Sequence, residues 1–272
     1  MQIGIIAGIG ELPAIIASDA RRRGYKVITI ALENLASPEL NDLSDEIRWI
    51  NVGKLGALID TLKDHGIRDA IMAGKVPKSI LYKSKVTPDL RAVKFLFSLK
   101  DTSDESILNA LSRELAKDGI TIIDTASFSP HLLTPAGVLT GNAPSKEEWA
   151  DIEFGWRIAK AIGELDIGQT VVIKGQAVMA VEAIEGTDEA IRRGGKWAGN
   201  GVVVVKVSKP RQDMRLDVPT VGRDTLRTMI DAGARVLAIE AERSIIINRD
   251  NLIEEAEQAG ISIVGISTQK AT

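Results

Sequence analysis

The first 32 residues alternate between β-type and helical patterns, and this alternation narrows the folds open to the chain. Gln2 to Ala7 (QIGIIA) is a β-branched run, and a glycine turn joins it to an apolar-periodic stretch from Ala14 to Arg23. A second β-type run, Lys26 to Leu32, follows. Strands that alternate with helices in this way favour a parallel, doubly wound α/β sheet.

The alternation continues through the rest of the first half. β-type runs lie at Ile47 to Val52, Asp69 to Met72 and Ile120 to Asp124, and helical stretches lie at Leu55 to Lys63 and Asp104 to Lys117. Asp104 is the expected N-cap of the last of these helices. Because parallel strands need crossover connections, this order predicts a Rossmann-like domain over residues 1–128.

The second half begins after a segment rich in turn-forming residues. Residues 129–145 contain three prolines and two glycines, which predicts a linker. A helix from Lys146 to Glu164 follows, and two β-type runs, Gln169 to Ile173 and Ala177 to Ile184, are spaced as a hairpin. The later elements are mixed, so we predict a second α/β domain over residues 146–272.

Composition excludes several classes of protein. Lys and Arg total 34 against 37 Asp and Glu, and a net charge of −3 argues against a nucleic-acid partner. The absence of cysteine excludes disulfides and thiolate-ligated metals. The N-terminal residues do not resemble a secretory signal, and no apolar run approaches the ~20 residues of a membrane-spanning helix. We expect a cytoplasmic protein that is at most peripheral to a membrane.

Two glycine turns in the first half are candidate phosphate-binding elements. Gly8 and Gly10 lie where N–H groups at a helix start bind anions, and Gly74 with Lys75 follows a strand at the same predicted sheet edge. A tight strand-to-helix turn and a solvated lysine are the alternatives. Pro13 replaces the third glycine of a dinucleotide-binding turn, which counts against a nicotinamide enzyme in which Glu33 would bind ribose.

The loop from Lys209 to Gly222 has the highest density of reactive side chains. Cations and carboxylates alternate here between two prolines and a glycine, and not along one helical face. Phosphate chemistry needs both kinds of group, cations for the substrate and a carboxylate for a metal or a water molecule. A surface loop without function is the alternative.

Two smaller clusters have structural interpretations beside the functional ones. The segment Glu185 to Asp188 combines a hydroxyl and a carboxylate, but a capped helix start also explains it. Asp101, Asp104 and Glu105 are acidic at a helix start, where favourable interaction with the helix dipole is the better explanation.

Taken in order, these motifs resemble the LpxI family of UDP-2,3-diacylglucosamine pyrophosphatases over nearly the whole chain. The combination is specific, although each fragment alone is not. The matching segments are IAGIGELP (Ile6 to Pro13), MAGKV (Met72 to Val76), PAGVLT (Pro135 to Thr140), ADIEFGWRIAKAIGELDIGQ (Ala150 to Gln169), AVEAIEGTDEAIRR (Ala180 to Arg193) and RLDVPTVG (Arg215 to Gly222).

The resemblance implies two α/β domains with substrate in a cleft between them. It implies that a water molecule, supported by Mg²⁺ or another divalent cation, cleaves the diphosphate to give UMP and 2,3-diacylglucosamine 1-phosphate (lipid X). The family's essential aspartate falls on Asp217, the predicted catalytic residue and metal ligand. The predicted substrate-binding residues are Gly8, Gly10, Leu12, Pro13, Gly74, Thr187, Asp188, Lys209, Arg215 and Thr220.

The sequence departs from the family pattern at two places. Arg211 stands where a glycine is expected, and the residues from Asp101 to Asp104 replace a Gly-Asp-Asp run, so a role for Asp101 is in doubt. Two alternative functions are a nicotinamide-dependent oxidoreductase and a non-catalytic nucleotide or glycolipid carrier. The lipid substrate allows peripheral contact with the inner membrane without requiring it, and the oligomeric state, with a homodimer as one option, is left open.

Overall fold

The computed structural model describes residues 1–77, 86–101 and 103–267, with Asp104 and Glu105 described by their backbone alone. The chain divides into two compact units. The first comprises Met1–Pro130 together with the short segment Asp213–Leu216, and the second comprises His131–Gln212 and the chain from Asp217 onward. The loop singled out by its charges thus contributes residues to both units.

The first unit is built on one parallel sheet, as the alternating pattern predicts. Its strands are β1 (Gln2–Ala7), β2 (Lys26–Leu32), β3 (Glu46–Ile50), β4 (Asp69–Ala73) and β5 (Thr121–Ile122). They are ordered β3-β2-β1-β4-β5, and every pair is parallel. The order reverses between β1 and β4, which is the place where open α/β sheets bind ligands.

Helices cover this sheet and explain its apolar strands. They are α1 (Leu12–Arg22), α2 (Leu40–Leu43), α3 (Leu55–Asp64), α4 (Leu90–Ser98), α5 (Asp104–Ala116) and α6 (Thr125–Phe128). Ile3, Ile5, Ile28 and Ile30 are buried, because strands with both faces covered read as continuous apolar runs. Ser103, and not Asp104, is the N-cap of α5, where its side chain accepts a hydrogen bond from the Ser106 N–H.

The second unit contains a mixed sheet. Its strands are β6 (Gly137–Val138), β7 (Thr170–Lys174), β8 (Ala177–Val181), β9 (Val202–Lys206), β10 (Thr220–Val221), β11 (Ala234–Glu240), β12 (Ile245–Ile246) and β13 (Ser262–Ile266). The mixed sheet consists of six of these strands, in the order β6-β13-β11-β9-β7-β8. The other two, β10 and β12, form a separate parallel pair. Strands β9, β11 and β13 are parallel, so their carboxyl ends lie at one edge.

In the described part of the second unit, the α-helices beside this sheet are α7 (Lys146–Glu164), α8 (Thr187–Ala198), α9 (Arg223–Asp231) and α10 (Arg249–Gln258). Among the described residues, no helix is both long and apolar enough to cross a lipid bilayer. On α7, Trp156 is buried in the core and Phe154 packs against the same cluster. Both aromatic side chains therefore have packing roles.

The hairpin of β7 and β8 is confirmed. Gly175 and Gln176 at its tip have φ of 58° and 56°, as a two-residue turn with left-handed central residues requires. The Asp151 carboxylate accepts hydrogen bonds from the N–H groups of both turn residues, at 2.9 and 2.5 Å. This contact ties the hairpin to α7.

The segment predicted as a linker contributes to the second sheet. Within residues 129–145, β6 pairs antiparallel with β13 as an edge strand, and Leu139 donates its N–H to Ile263 O at 2.9 Å. Proline and glycine are frequent in linkers, but they also occur on edge strands. Composition alone therefore did not distinguish a linker from a short edge strand.

Candidate functional site

Gln212 holds the Asp217 carboxylate within the second unit. Its side-chain Nε2 donates to Asp217 Oδ2 at 2.5 Å, while its Oε1 accepts the N–H of Lys209 at 2.9 Å. A third bond, from the Gln212 N–H to Lys209 O at 3.0 Å, closes a turn. Asp217 is half-buried, and the bond from Gln212 orients its carboxylate.

The cations predicted beside Asp217 have carboxylate partners of their own. Lys209 forms an ion pair with Asp166 in the second unit. Arg215, which belongs to the first unit, binds Asp213 with its Nε and Nη2 at 3.0 and 2.6 Å. Hydrogen bonding to the Arg215 guanidinium lowers the pKa of Asp213. Both cations are therefore oriented before any substrate binds.

A buried lysine joins two of the predicted substrate-binding residues. Lys206 ends β9 and is 6% exposed, and its Nζ donates to Thr187 Oγ1 and to the Thr220 carbonyl, both at 3.1 Å. The Thr187 hydroxyl in turn donates to Glu182 Oε1 at 2.8 Å. The structure thus brings Thr187 and Thr220 together through a side chain that is not among the predicted site residues.

Helix α8 begins at the predicted segment from Glu185 to Asp188. Gly186 is its N-cap with φ of 89°, a conformation that favours glycine. Asp188 Oδ1 accepts a hydrogen bond from Thr225 Oγ1 at 3.1 Å. The interpretation as a helix start is confirmed, and the N–H groups of the first turn are the donors available for an anion.

In the first unit, the turns after β1 and β4 pair with each other. Gly8 donates its N–H to Ala73 O at 2.8 Å, and Ile9 and Lys75 exchange two backbone hydrogen bonds of 2.9 Å. A Cβ at Gly8 would lie 2.7 Å from Lys75 O, and one at Gly74 would lie 2.7 Å from Ile9 O. Glycine at both positions permits this close contact. The N–H groups of Gly8 and Ile9 are hydrogen-bonded within it, so they are not the donors for a phosphate.

The remaining residues of that turn differ in what they offer a ligand. Gly10 has φ of 108°, and no heavy atom lies within 4 Å of the position of its Cβ. Leu12 and Pro13 are buried in the first turn of α1, and Pro13 has no N–H. Anion binding in this unit would therefore depend on Gly10 and on the first-turn N–H groups of α1.

Two other predicted positions lie in simpler surroundings. Glu33 is exposed after β2, and Asp101 is an exposed turn residue. Hydrogen bonds from the side chain and backbone of Ser103 lower the pKa of Asp101 to about 2. The side chains of Asp104 and Glu105, the other two members of the acidic cluster, lie outside the described residues.

Carboxylates are numerous in the described part of the chain, but they are not clustered as metal ligands. No group of three or more His, Asp and Glu side chains there is arranged to bind a metal ion. Mg²⁺, however, is commonly held by one or two carboxylates together with substrate phosphates. The half-buried Asp217 carboxylate, held at one oxygen by Gln212, fits a site of that kind.

Three buried charged residues that hydrogen-bond to predicted site residues or to the start of the charged loop are not among the sequence predictions, namely Glu182, Lys206 and Glu240. Lys206 and Glu240 end buried strands: Lys206 follows four valines in VVVVK, and Glu240 ends ARVLAIE. Glu182 follows β8, which is only partly buried. Gln212 lies inside the predicted loop but is not among the predicted site residues. For Lys206 and Glu240, the available signal is a charged residue at the carboxyl end of a parallel strand.

Comparison with known proteins covers nearly all of the chain. The family model described as the LpxI N-terminal domain matches residues 2–132, and the LpxI C-terminal domain matches residues 135–264. A curated protein of Caulobacter vibrioides, UDP-2,3-diacylglucosamine pyrophosphatase LpxI, is 31% identical over 280 residues, and the alignment covers 99% of each chain.

Similar solved structures are much more distant. The crystal structure of gox2253 aligns with 98% of this chain and 77% of its own length, at 11% identity and a TM-score of 0.33. The biotin carboxylase subunit of a pyruvate carboxylase aligns with 68% of this chain and 38% of its own, at 14% identity and a TM-score of 0.29. Similarity at this level carries no argument about function.

Proposed function

The chain belongs to the LpxI family, and from this premise we propose that it hydrolyses the diphosphate of UDP-2,3-diacylglucosamine. The observation that carries the proposal is the full-length match to a curated protein of that name. The products would be UMP and 2,3-diacylglucosamine 1-phosphate (lipid X), an intermediate of lipid A biosynthesis. The loop from Lys209 to Gly222, which contains Asp217, supplies the type of side chains that such a reaction needs.

In the proposed reaction, water attacks the phosphorus on the sugar side of the diphosphate. Its oxygen becomes part of the sugar phosphate, the bond from that phosphorus to the bridging oxygen breaks, and the bridging oxygen leaves with UMP. One proton of the water is released. Negative charge on the transferring phosphoryl oxygens and on the leaving oxygen must be stabilised, mainly by positioned cations and N–H donors.

Asp217 is the proposed catalytic residue. Its carboxylate, oriented by Gln212, would either bind a divalent cation together with substrate phosphates or accept a hydrogen bond from the attacking water. When bound, the cation would neutralise charge on the diphosphate. Both roles require the negative charge of Asp217.

Cations and helix N-termini are the proposed phosphate-binding groups. In the second unit these are the cation Lys209 and the start of α8 at Thr187 and Asp188. The hydroxyl of Thr220, at the start of β10, is a further proposed contact. In the first unit they are Arg215 and the turn at Gly10. The existing ion pairs of Lys209 and Arg215 support this proposal, because paired side chains lose less conformational freedom when a phosphate binds.

The proposal is tested by hydrolysis of UDP-2,3-diacylglucosamine in ¹⁸O-labelled water, with Mg²⁺ or with EDTA. We expect the label in the sugar phosphate and no turnover with EDTA. Label in UMP would preserve the activity but reverse the attack site. Binding of the substrate without hydrolysis under any divalent metal would instead favour the carrier alternative.

The nicotinamide alternative makes a different prediction for ligand binding. UMP should raise the melting temperature of this protein, because a ligand that binds only the folded state stabilises it. NAD(P) should have no effect, since Pro13 replaces the third glycine of the dinucleotide turn and is buried. Stabilisation by NAD(P) and not by UMP would contradict the proposed function.

A lipid substrate also leads us to propose that α4 contacts the bilayer. Leu90 and Phe97 lie seven residues apart on one helical face and are 83% and 88% exposed, with Lys94 exposed between them. The sequence from Lys75 to Lys100 contains seven basic residues and one acidic residue, in a chain that is acidic overall. Exposed apolar side chains with adjacent cations suit an anionic bilayer surface.

Phe97→Asp is expected to lower binding to phosphatidylglycerol-containing vesicles by about tenfold, because the apolar contribution of one large side chain is lost. Sedimentation with vesicles measures this effect. Trp197→Asp is the control, since Trp197 is also 77% exposed but lies on α8 in the second unit. Equal losses in both variants would argue against a specific role for α4.

A further inference from the structure

Glu240 holds the start of the loop that carries Asp217. This residue ends β11 and is 1% exposed. Its Oε2 accepts hydrogen bonds from both the backbone N–H and the Oγ–H of Ser208, each at 2.7 Å. Lys160 Nζ donates to both carboxylate oxygens, at 2.7 and 2.6 Å, and to Ser208 O at 3.0 Å. Since Ser208 immediately precedes Lys209, these bonds fix where the loop leaves the sheet.

Lys206 holds the end of the same loop. Its bond to the Thr220 carbonyl reaches the first residue of β10, three positions after Asp217. The contact is to the backbone, so it fixes the path of the chain and not only a side chain. The same ammonium group is held in place by Thr187, whose hydroxyl is bonded to Glu182.

Stability alone does not account for two buried charged residues here. Burying a charged group costs free energy, and replacing a buried ion pair, such as that of Glu240 with Lys160, by apolar side chains of similar volume is often neutral or stabilising. Both charged groups lie at the carboxyl edge of the parallel strands, and both bind backbone atoms at the ends of residues 209–219. Their shared geometric effect is to limit the conformations of the segment that contains Asp217.

We infer that Lys206 and Glu240 are positioning residues that hold the two ends of the Asp217 loop. Neither needs to touch the reacting atoms. The kinetic part of this inference rests on the proposed function, whereas the effect on loop conformation does not. Small displacements of a catalytic group have large effects on the rate, so loosening either end should reduce kcat.

The test compares Lys206→Met and Glu240→Gln with the matched control Lys174→Met. Lys174 also ends a strand of this sheet, and its Nζ donates to the carbonyls of Ala198 and Asn200 at 2.7 and 2.8 Å. It lies at the opposite edge, because β7 is antiparallel to β9. The control therefore removes a similar side chain with similar backbone contacts, but far along the strands from the loop.

Two quantities are measured on each purified full-length variant. Hydrogen exchange followed by mass spectrometry should show residues 209–221 exchanging about tenfold faster in Lys206→Met and Glu240→Gln, and at the wild-type rate in Lys174→Met. In the hydrolysis assay, kcat should fall by about tenfold in the first two variants, with KM within about threefold of wild type.

A milder variant keeps the test valid if Glu240→Gln does not fold. Ser208→Ala removes one hydrogen bond to Glu240 but preserves the backbone contact, and it should show the same two effects to a smaller degree. Variants with a lowered melting temperature but wild-type exchange in residues 209–221 would overturn the inference. If residues 209–221 exchange faster in these variants but the wild-type protein does not hydrolyse the substrate, the inference on loop positioning is supported and the proposed function is overturned.

Discussion

Asp217→Asn is expected to lower kcat for UDP-2,3-diacylglucosamine hydrolysis by about 10³-fold, while substrate affinity stays within about threefold of wild type. Asparagine has nearly the same shape and retains an oxygen that accepts the hydrogen bond from Gln212 Nε2. It lacks the negative charge that either a divalent cation or the attacking water requires. The loss should therefore appear in the chemical step.

Steady-state kinetics measures kcat and KM. Calorimetric binding of the product UMP measures whether affinity for the nucleotide part of the substrate is kept. Asp224→Asn is the matched control, because Asp224 is an exposed carboxylate in the first turn of α9, within the same unit and seven residues further on. Its kcat should be unchanged. If Asp217→Asn retained wild-type turnover, Asp217 would be excluded from the mechanism, and the metal would have to be held elsewhere.

The elements that the sequence predicted well are those whose pattern follows from burial. β1 and β2 are covered on both faces and read as continuous apolar runs, and the hairpin after β7 has the glycine-containing turn that its geometry requires. Helix α4 is not among the predicted elements, because much of its surface is exposed and its apolar pattern does not face one core. Strand β6 was not predicted, because the prolines and glycines of residues 129–145 are typical of a linker.

Sequence predicted those site residues that a motif identifies. It did not predict residues whose role depends on contacts between distant parts of the chain. Asp217 follows from the resemblance of its motif. Lys206 does not, because a lysine at a strand end is usually solvated, and only the packing around β9 shows that it is buried. Gly8 and Gly74 were selected for phosphate binding, but the pairing of their turns is a long-range contact that sequence spacing does not show.

Gln212→Leu is the second substitution for which we expect a large effect, a fall of about 10²-fold in kcat, as for other residues that orient a metal ligand or catalytic group. Leucine approximates the size of glutamine but neither donates to Asp217 nor accepts the Lys209 N–H. The carboxylate would then sample orientations that do not support the reaction. Rates at saturating substrate measure this loss directly.

The double variant distinguishes an indirect role of Gln212 from a direct one. If Gln212 acts only by orienting the Asp217 carboxylate, adding Gln212→Leu to Asp217→Asn should reduce kcat no further, because residues that act as a unit are not additive. The three hydrogen bonds that join Gln212 to Asp217 and Lys209 favour this outcome. Additive losses would mean that Gln212 also contacts the substrate, and the amide would then belong among the phosphate-binding groups.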